Sequence, residues 1–161
     1  MKEGYDIAQI CLNGHVINSF SSGMPEFNKK YCDQCGEFTI IECQECKNPI
    51  RGDYWGSMSM TTMTAPKFCL NCGKPFEWTI RKLNAAKELA ALSEGFTGDE
   101  IIEFQKSIDN LVINSPNIEV AKVKYIKFVK KAGTSIAQGL KDILVDIVSE
   151  TIKKTIWNDP K

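Results

Sequence analysis

Residues 32–46 read Cys-Asp-Gln-Cys-Gly-Glu-Phe-Thr-Ile-Ile-Glu-Cys-Gln-Glu-Cys, which places two Cys-x-x-Cys pairs only seven residues apart. A third Cys-x-x-Cys pair follows them, and a Cys-x-x-x-His pair precedes them in the run Cys-Leu-Asn-Gly-His. The four pairs use all seven cysteines and the only histidine of the 161-residue chain. The predicted metal ligands are Cys11, His15, Cys32, Cys35, Cys43, Cys46, Cys69 and Cys72.

Eight such side chains are the number that two zinc ions require, because structural zinc is tetrahedral and takes four Cys or His ligands. We therefore predict two Zn²⁺ ions, one bound by three Cys and one His and the other by four Cys. Redox dithiols usually occur as one motif that opens a helix, so three pairs within residues 32–72 favour metal. Protein ligands fill every position at both ions. The sites are therefore predicted to be structural rather than catalytic.

Zinc ribbons and RING-type cross-braces join such ligand pairs in different ways. Sequential pairing joins Cys11 and His15 with the Cys32 pair, and the two later pairs with each other. Interleaved pairing joins the first pair with the third and the second with the fourth. The short strand predicted at 38–41 leaves little chain between the middle pairs, and we favour sequential pairing. Gly36 and Gly73 each follow the second cysteine of a pair, where a turn needs a positive φ.

The two halves of the chain differ in kind, and we predict an α+β protein. Residues 1–78 form a double zinc-ribbon domain of short antiparallel β hairpins, which is too small to fold without a metal. Residues 79–161 form an α-helical domain. Within the first domain, residues 53–66 are expected to be the hairpin arm of the second ribbon. The arm carries Met58, Met60 and Met63, which either form an adaptable contact surface or pack on the neighbouring ribbon.

Helical periodicity and capping signals divide the second domain into a bundle of about four helices. The first runs from 79 to 93, and the second opens with a capping box at Thr97 and Glu100. Ser115 and Pro116 are the expected N-cap and first residue of the third helix, which ends at Gly133. The fourth helix is expected over 134–157, and its wide apolar arc predicts burial on more than one side, within the chain or against a second copy.

Two charged ridges lie on these helices. The ridge of the third helix consists of Lys124, Lys127, Lys130 and Lys131, and that of the fourth consists of Asp142, Asp146 and Glu150. Solvated faces are the ordinary interpretation. The alternative is that the ridges pair with each other, inside the bundle or between subunits.

Composition excludes several classes of function. The chain has 20 basic and 20 acidic residues, so its formal charge gives no argument for nucleic acid or an anionic membrane. The N-terminus has no apolar signal core and no segment resembles a spanning helix, which predicts a cytoplasmic protein. With His15 bound to metal, no histidine remains as a general base, and there is no phosphate loop or nucleophile motif. We expect a protein that is not an enzyme.

The ligand motifs resemble those of a bacterial family catalogued as domain of unknown function 2321. The resemblance lies in residues 5–18, in 31–36, in 43–52 and in 69–78, and it continues into 146–154. It implies cytoplasmic zinc-ribbon proteins.

The expected function is that of a non-enzymatic interaction or adaptor protein. Its ribbons present a recognition surface, and its helices self-associate through 134–157 or dock on a protein partner. The alternative is a nucleic-acid-binding regulator that uses the ribbon loops and the helix Lys122–Lys131. A membrane effector is less favoured, because the last helix mixes acids into its polar face.

Overall fold

The structure, a computed structural model, describes residues 3–56 and 62–157. It confirms the α+β class, with short antiparallel strands in the N-terminal part followed by five α-helices. The chain divides into two compact units, Met1–Ile80 and Arg81–Lys161. We call them the ribbon unit and the helical unit and describe each by itself. The domain boundary after Trp78 stays a prediction.

Two small antiparallel sheets form the ribbon unit. Strand β1 (Gly4–Ile7) pairs with β5 (Arg51–Trp55). Strand β2 (Gln9–Cys11) lies between β3 (Val16–Asn18) and β4 (Thr39–Ile40). Strand β4 is the short strand that the sequence predicts between the two middle ligand pairs. All five strands are short, so most of the ribbon unit consists of turns held by the ligand pairs.

Strand β5 differs from the prediction for residues 53–66. That segment is expected to form the hairpin arm of the second ribbon, but its first residues continue β5 and pair with β1. The Tyr5 and Tyr54 rings meet edge to face across this pair, with centroids 5.2 Å apart. Met58 and Met60 lie outside the described residues. Met63 is partly buried and packs against the core, so for this methionine packing on the ribbon is the correct alternative.

The core of the ribbon unit is small. Its buried apolar residues are Ala8, Ile10, Ile50, Phe76 and Trp78, together with the ligands Cys43 and Cys69. The Phe76 and Trp78 rings stack with centroids 4.6 Å apart. Trp78 belongs to the first turn of α1 (Glu77–Ala91), and its Nε1 donates a hydrogen bond of 2.8 Å to the Pro66 carbonyl. The start of α1 is therefore part of the ribbon core.

A buried carboxylate fixes the loop that follows β3. Asp6 is only 7% exposed, and its oxygens accept hydrogen bonds from the backbone N–H groups of Ile7, Ser22 and Gly23 and from the Trp55 indole. Burial acts to raise the pKa of Asp6, but these four donors together hold it below its usual value. The side chain is thus buried as a charge that is fully hydrogen-bonded.

Helices α2 (Gly98–Val112) and α3 (Ile118–Ala132) pack on each other in the helical unit. The capping box at Thr97 and Glu100 is confirmed, with both of its hydrogen bonds present. Helix α3 ends as predicted at Gly133, whose φ is 90°. It begins later than predicted, because the Ile118 N–H bonds to the Ser115 carbonyl and closes a turn before the helix starts.

The single helix predicted over 134–157 is two helices, α4 (Thr134–Leu144) and α5 (Glu150–Ile156). Helix α4 ends at Leu144, and Ser149 is the N-cap of α5. Ser149 has extended backbone angles, and its side chain accepts a hydrogen bond from the Ile152 N–H. A serine that caps a new helix in this way competes with continuation of the previous one. The wide apolar arc arises because the residues around this break, Ile147 and Val148 among them, are buried.

The two charged ridges do not pair with each other within the described part of the chain. Lysines of α3 pair with glutamates of α2 or of their own helix, whereas the acids at 142, 146 and 150 each meet a different neighbour. The contacts are Lys124–Glu103, Lys131–Glu100, Lys122–Glu119, Lys82–Asp146, Lys153–Glu150 and Gln138–Asp142. All are at least partly exposed, so each contributes little to stability.

Of the helices in the described part of the chain, none combines the length and the apolar character that a bilayer crossing requires.

Candidate metal centres

The three Cys-x-x-Cys pairs form the same turn three times. In each turn the first cysteine donates its N–H to the carbonyl five residues later, and its own carbonyl accepts the N–H four residues later. For Cys32 these bonds, to Glu37 and from Gly36, are both 2.8 Å long. The turns are closed by single β bridges, Tyr31–Phe38, Glu42–Pro49 and Phe68–Pro75. The repeated turn explains why a sequence with so few strands can hold its sulfurs in place.

The residue after the second cysteine has a positive φ in all three turns. Gly36 and Gly73 both have φ of 73°, as the sequence predicts for glycine at these positions. Lys47 occupies the same place in the middle turn with φ of 61°, and it is the one non-glycine residue with a positive φ in the described chain. A lysine does not favour this backbone conformation. The hydrogen bonds and ligands of the turn therefore hold Lys47 in it.

The fourth ligand pair lies at the end of β2. The Cys11 N–H bonds to the His15 carbonyl and the Gly14 N–H to the Cys11 carbonyl, which folds the intervening residues into a tight turn. Gly14 has φ of 89°, and a Cβ built on it would lie 3.1 Å from the Trp78 Cβ. Glycine is required here both by the backbone angle and by the close approach of the tryptophan.

The first centre combines this turn with the earliest Cys-x-x-Cys pair. The Cys11 Sγ lies 3.4 Å from the His15 Nδ1 and 3.8 Å from the Cys35 Sγ, and the Cys32 Sγ lies 3.5 Å from the same nitrogen. The four ligand atoms all lie within 4.8 Å of one another. Cys11 and Cys32 are buried, and Cys35 is exposed. The imidazole faces the sulfurs through Nδ1, which the sequence does not specify.

The second centre consists of the two later pairs. The Cys43 Sγ lies 3.8 Å from the Cys72 Sγ, and the Cys46 Sγ lies 3.6 Å from the Cys69 Sγ. These four sulfurs again fall within 4.8 Å of one another. All eight predicted ligands are thus brought together in two groups of four, and the grouping is the sequential one that the sequence favours.

The spacing of the ligand atoms fits a bound metal ion. A tetrahedral ion with bonds of about 2.3 Å to sulfur and about 2.05 Å to nitrogen holds two sulfurs about 3.8 Å apart and a sulfur and a nitrogen about 3.6 Å apart. The observed separations of 3.6–3.8 Å and 3.4–3.5 Å agree with those values. A disulfide would need a separation of about 2.05 Å, and all seven cysteines are free. The two groups could therefore hold two metal ions.

Two asparagines support the centres, and the ligand count alone missed them. Asn13 Nδ2 donates to the Cys35 Sγ over 3.4 Å, and Asn71 Nδ2 donates to the Cys46 Sγ over 3.5 Å. Each asparagine belongs to a Cys-Leu-Asn run and reaches the second cysteine of the opposite pair. This run occurs twice, as Cys11-Leu-Asn and Cys69-Leu-Asn, and its repetition is the sequence signal that could have found them. Such outer hydrogen bonds orient the ligands and tune their basicity.

The same hydrogen bonds act on the thiols of the metal-free chain. The Glu37 backbone N–H and the Asn13 side chain are among the groups that lower the pKa of Cys35 to about 6. The Asn71 side chain, followed by the Asn48 backbone, lowers the pKa of Cys46 to about 6. Burial raises the pKa of Cys11 to about 11. Each centre therefore includes one thiol that ionises readily, and a metal ligand must be ionised.

Comparison with protein families identifies a match over most of the chain. The sequence model of a family described as "Uncharacterized protein conserved in bacteria (DUF2321)" matches residues 4–156. The matched range includes all eight candidate ligands and all five helices. Neither the comparison with curated proteins nor the comparison with solved structures gives a significant match.

Proposed function

The chain belongs to the bacterial family DUF2321, and from this premise we propose that it is a zinc-stabilised, non-enzymatic interaction protein. The ribbon unit presents the recognition surface, and the helical unit self-associates or docks on a protein partner. The observation that carries the proposal is the pair of closed centres, in which four protein ligands meet at each site. Closed sites leave no position for a substrate, and their role is to hold the fold.

Zinc is the ion that this donor set fits best. Thiolate and imidazole ligands in tetrahedral groups are typical of Zn²⁺, whereas hard cations such as Mg²⁺ and Ca²⁺ take oxygen ligands. The ribbon unit also needs such ions, because its core contains few buried residues besides the ligands. A unit of this size gains most of its stability from the metal, as in other small zinc domains.

Exposed apolar side chains support a recognition surface on the ribbon unit. Tyr5 is 59% exposed and Leu70 is 69% exposed, and seven further large apolar residues of this unit are also solvent-exposed. Those seven are Met24, Phe27, Tyr31, Phe38, Ile41, Tyr54 and Ile80. Aromatic residues are enriched at interfaces, and a unit that leaves so many of them in water is suited to binding a partner.

Apolar surface on the helical unit supports self-association or docking. Val120 and Val123 of α3 are both more than half exposed, and Ile102 of α2 is half exposed. On α4, Ile136 and Ile143 are only partly buried, and they are seven residues apart on one helical face. This partly exposed apolar face supports a contact with a second copy through the segment 134–157, which contains the two helices α4 and α5.

A nucleic-acid-binding regulator is the second candidate. The observation in its favour is an exposed aromatic pair, Tyr31 and Phe38, with the Lys30 amine 5.5 Å from the tyrosine ring centroid. Aromatic rings beside cations are typical of single-strand binding surfaces. However, Lys122, Lys124 and Lys131 of α3 each pair with a glutamate, which reduces the charge available to phosphates.

Two measurements test the proposed function. Metal analysis of the purified chain should give two zinc equivalents, and chelation should unfold the ribbon unit. A pull-down from the native cells, with the full chain as bait, should retain a protein partner that is lost with a Cys43→Ser bait. Retention that is unaffected by loss of the centre would refute the proposal. Binding to single-stranded DNA that falls steeply with salt would favour the second candidate.

A further inference from the structure

A groove of about 350 Å³ lies in the ribbon unit beside the turn of the second metal centre. Ile50, Met63, Phe68, Leu70 and Phe76 give it an apolar lining. Leu70 lies at the tip of the metal-binding turn and is 69% exposed. The groove therefore has room for a bulky apolar side chain, and its position depends on the second centre being formed.

Among the described residues that line this groove, Arg51 contributes a guanidinium and none contributes a carboxylate. Arg51 of β5 is exposed, and its guanidinium carbon lies 4.4 Å from the Tyr5 ring centroid, so the ring orients it. Within residues 3–56 and 62–157, Arg51 forms no ion pair. Guanidinium binds carboxylates through two parallel hydrogen bonds, and an oriented guanidinium that has no ion pair with the described residues is suited to receive a carboxylate.

The groove is also lined by a segment with the burial pattern of a strand. Thr62 and Thr64 are exposed, whereas Met63 and Ala65 pack against the core, which is the alternation of a strand with one buried face. The structure gives residues 62–65 no strand pairing and no backbone hydrogen bond to any other described residue. Their N–H and C=O groups are therefore available to a further strand.

We propose that this groove binds an extended segment of a partner protein that carries a carboxylate next to a bulky apolar side chain. The apolar side chain enters the groove, the carboxylate pairs with Arg51, and the backbone of the segment pairs with residues 62–65. The inference rests on the proposed function and names the chemistry of the partner that the ribbon unit recognises.

Charge favours a peptide over a phosphate polymer at this surface. Residues 1–78 contain seven basic and nine acidic residues, and metal-bound thiolates make the unit more negative. Of the lining residues that the structure describes, Arg51 alone is a cation. A single guanidinium satisfies one carboxylate, whereas a nucleic acid gains affinity from many phosphate contacts made by a row of cations.

The first experiment selects random linear peptides, displayed on phage, against the full zinc-loaded chain. Enriched sequences should share an Asp or Glu next to a bulky apolar residue. A fluorescently labelled copy of the strongest binder is then titrated against variants. Arg51→Gln should weaken its binding at least about tenfold, because a charged hydrogen-bonded pair is lost. Lys30→Gln is the matched control, since Lys30 also lies by a tyrosine ring but does not line the groove, and it should bind as the parent does.

Two further variants distinguish a loss of peptide binding from a loss of folding. Arg51→Glu should bind a peptide in which the acid is replaced by lysine more tightly than it binds the original. Leu70→Ser should weaken both peptides while the zinc content stays at two equivalents. Bound peptide should also protect the amides of residues 62–65 from hydrogen exchange.

Several results would overturn the proposal. These are a selection without enrichment, enriched peptides that lack a carboxylate, or equal affinity for Arg51→Gln. Displacement of the peptide by oligothymidylate at low salt would assign the groove to nucleic acid, and a dimer abolished by Arg51→Gln would assign it to a second copy. The two proposals fail separately in the native pull-down. A partner that is still retained by Cys43→Ser refutes the proposed function, whereas a partner retained by Arg51→Gln but lost with Cys43→Ser removes only the groove proposal.

Discussion

Replacing Asn71 with alanine should weaken metal binding at the second centre and leave the first centre unchanged. The Asn71 side chain donates to the Cys46 sulfur over 3.5 Å. The substitution removes this donor but keeps the backbone N–H of residue 71, which donates to the Cys69 sulfur over 3.4 Å. The change therefore isolates one outer hydrogen bond of one ligand.

The expected loss is about 1 kcal/mol, a factor of about five in the dissociation constant. Hydrogen bonds to charged groups contribute about 1.5–3 kcal/mol, and loss of an outer partner of a metal ligand costs about tenfold to a hundredfold in affinity. The Asn71–Cys46 contact is exposed and long, so its contribution lies at or below the lower limit of both ranges.

Competition with a chromophoric chelator measures both centres in one titration. The variant should release one zinc earlier than the parent and the other at the parental chelator concentration. The Asn71 side chain also lowers the pKa of Cys46. Its removal strengthens proton competition, so the midpoint of acid release at this centre should move to higher pH. Asn13→Ala should produce the same change at the first centre, through Cys35.

Gln44 provides a matched control, because it lies inside the Cys43 turn and its exposed side chain makes no hydrogen bond to any residue within 3–56 and 62–157. Gln44→Ala should leave both releases unchanged. If Asn71→Ala and Gln44→Ala behave alike, or if Asn71→Ala affects both centres equally, the hydrogen bond to Cys46 does not support the ligand and the argument is refuted.

Three further predictions concern the folding of the ribbon unit. Gly14→Ala should lower the temperature of metal-dependent unfolding and loosen the first centre, because its φ is 89° and the new Cβ would lie 3.1 Å from the Trp78 Cβ; unchanged unfolding would contradict this. Lys47→Gly should leave the ribbon unit unchanged or stabilise it by less than about 1 kcal/mol, because the relief of a φ of 61° is offset by the greater entropy of glycine in the unfolded chain. Lys47→Val should destabilise the ribbon unit in the same assay of metal-dependent unfolding. Asp6→Asn should cost about 2 kcal/mol in urea unfolding at neutral pH, because four donors face this carboxylate. The folded pKa of Asp6 is lowered, so its contribution is fully present above about pH 4 and disappears as the pH falls through the folded value; a parent–variant difference that stays constant at lower pH would contradict it.

Much of the candidate site was predictable because ligand chemistry is local. Four pairs at fixed spacings and a complete count of cysteines and histidine already specify two four-ligand groups. The Cys-Leu-Asn repeat also predicts the supporting amides, once the ligand pairs are compared with one another. The Thr97 capping box was predictable for the same reason, since both of its partners lie within four residues.

Other features depend on residues that are distant in the sequence. The pairing of β5 with β1 joins segments nearly fifty residues apart, and neither segment specifies its partner. The periodicity predicted one continuous helix over 134–157. The break between Leu144 and Glu150 instead accompanies the burial of Ile147 and Val148. A periodic apolar pattern is compatible with one helix or with two, and packing decides between them.

The sequence by itself determined that this protein has two four-ligand metal groups and an α+β fold, because ligand type and spacing, caps and periodicity act over a few residues. The tertiary structure alone decided which ring nitrogen of His15 faces the sulfurs, how the strands pair, and that Arg51 lies beside an apolar groove without an ion pair to any of the described residues. These features arise where separate segments meet, and the free energy of that packing is not encoded in any one segment.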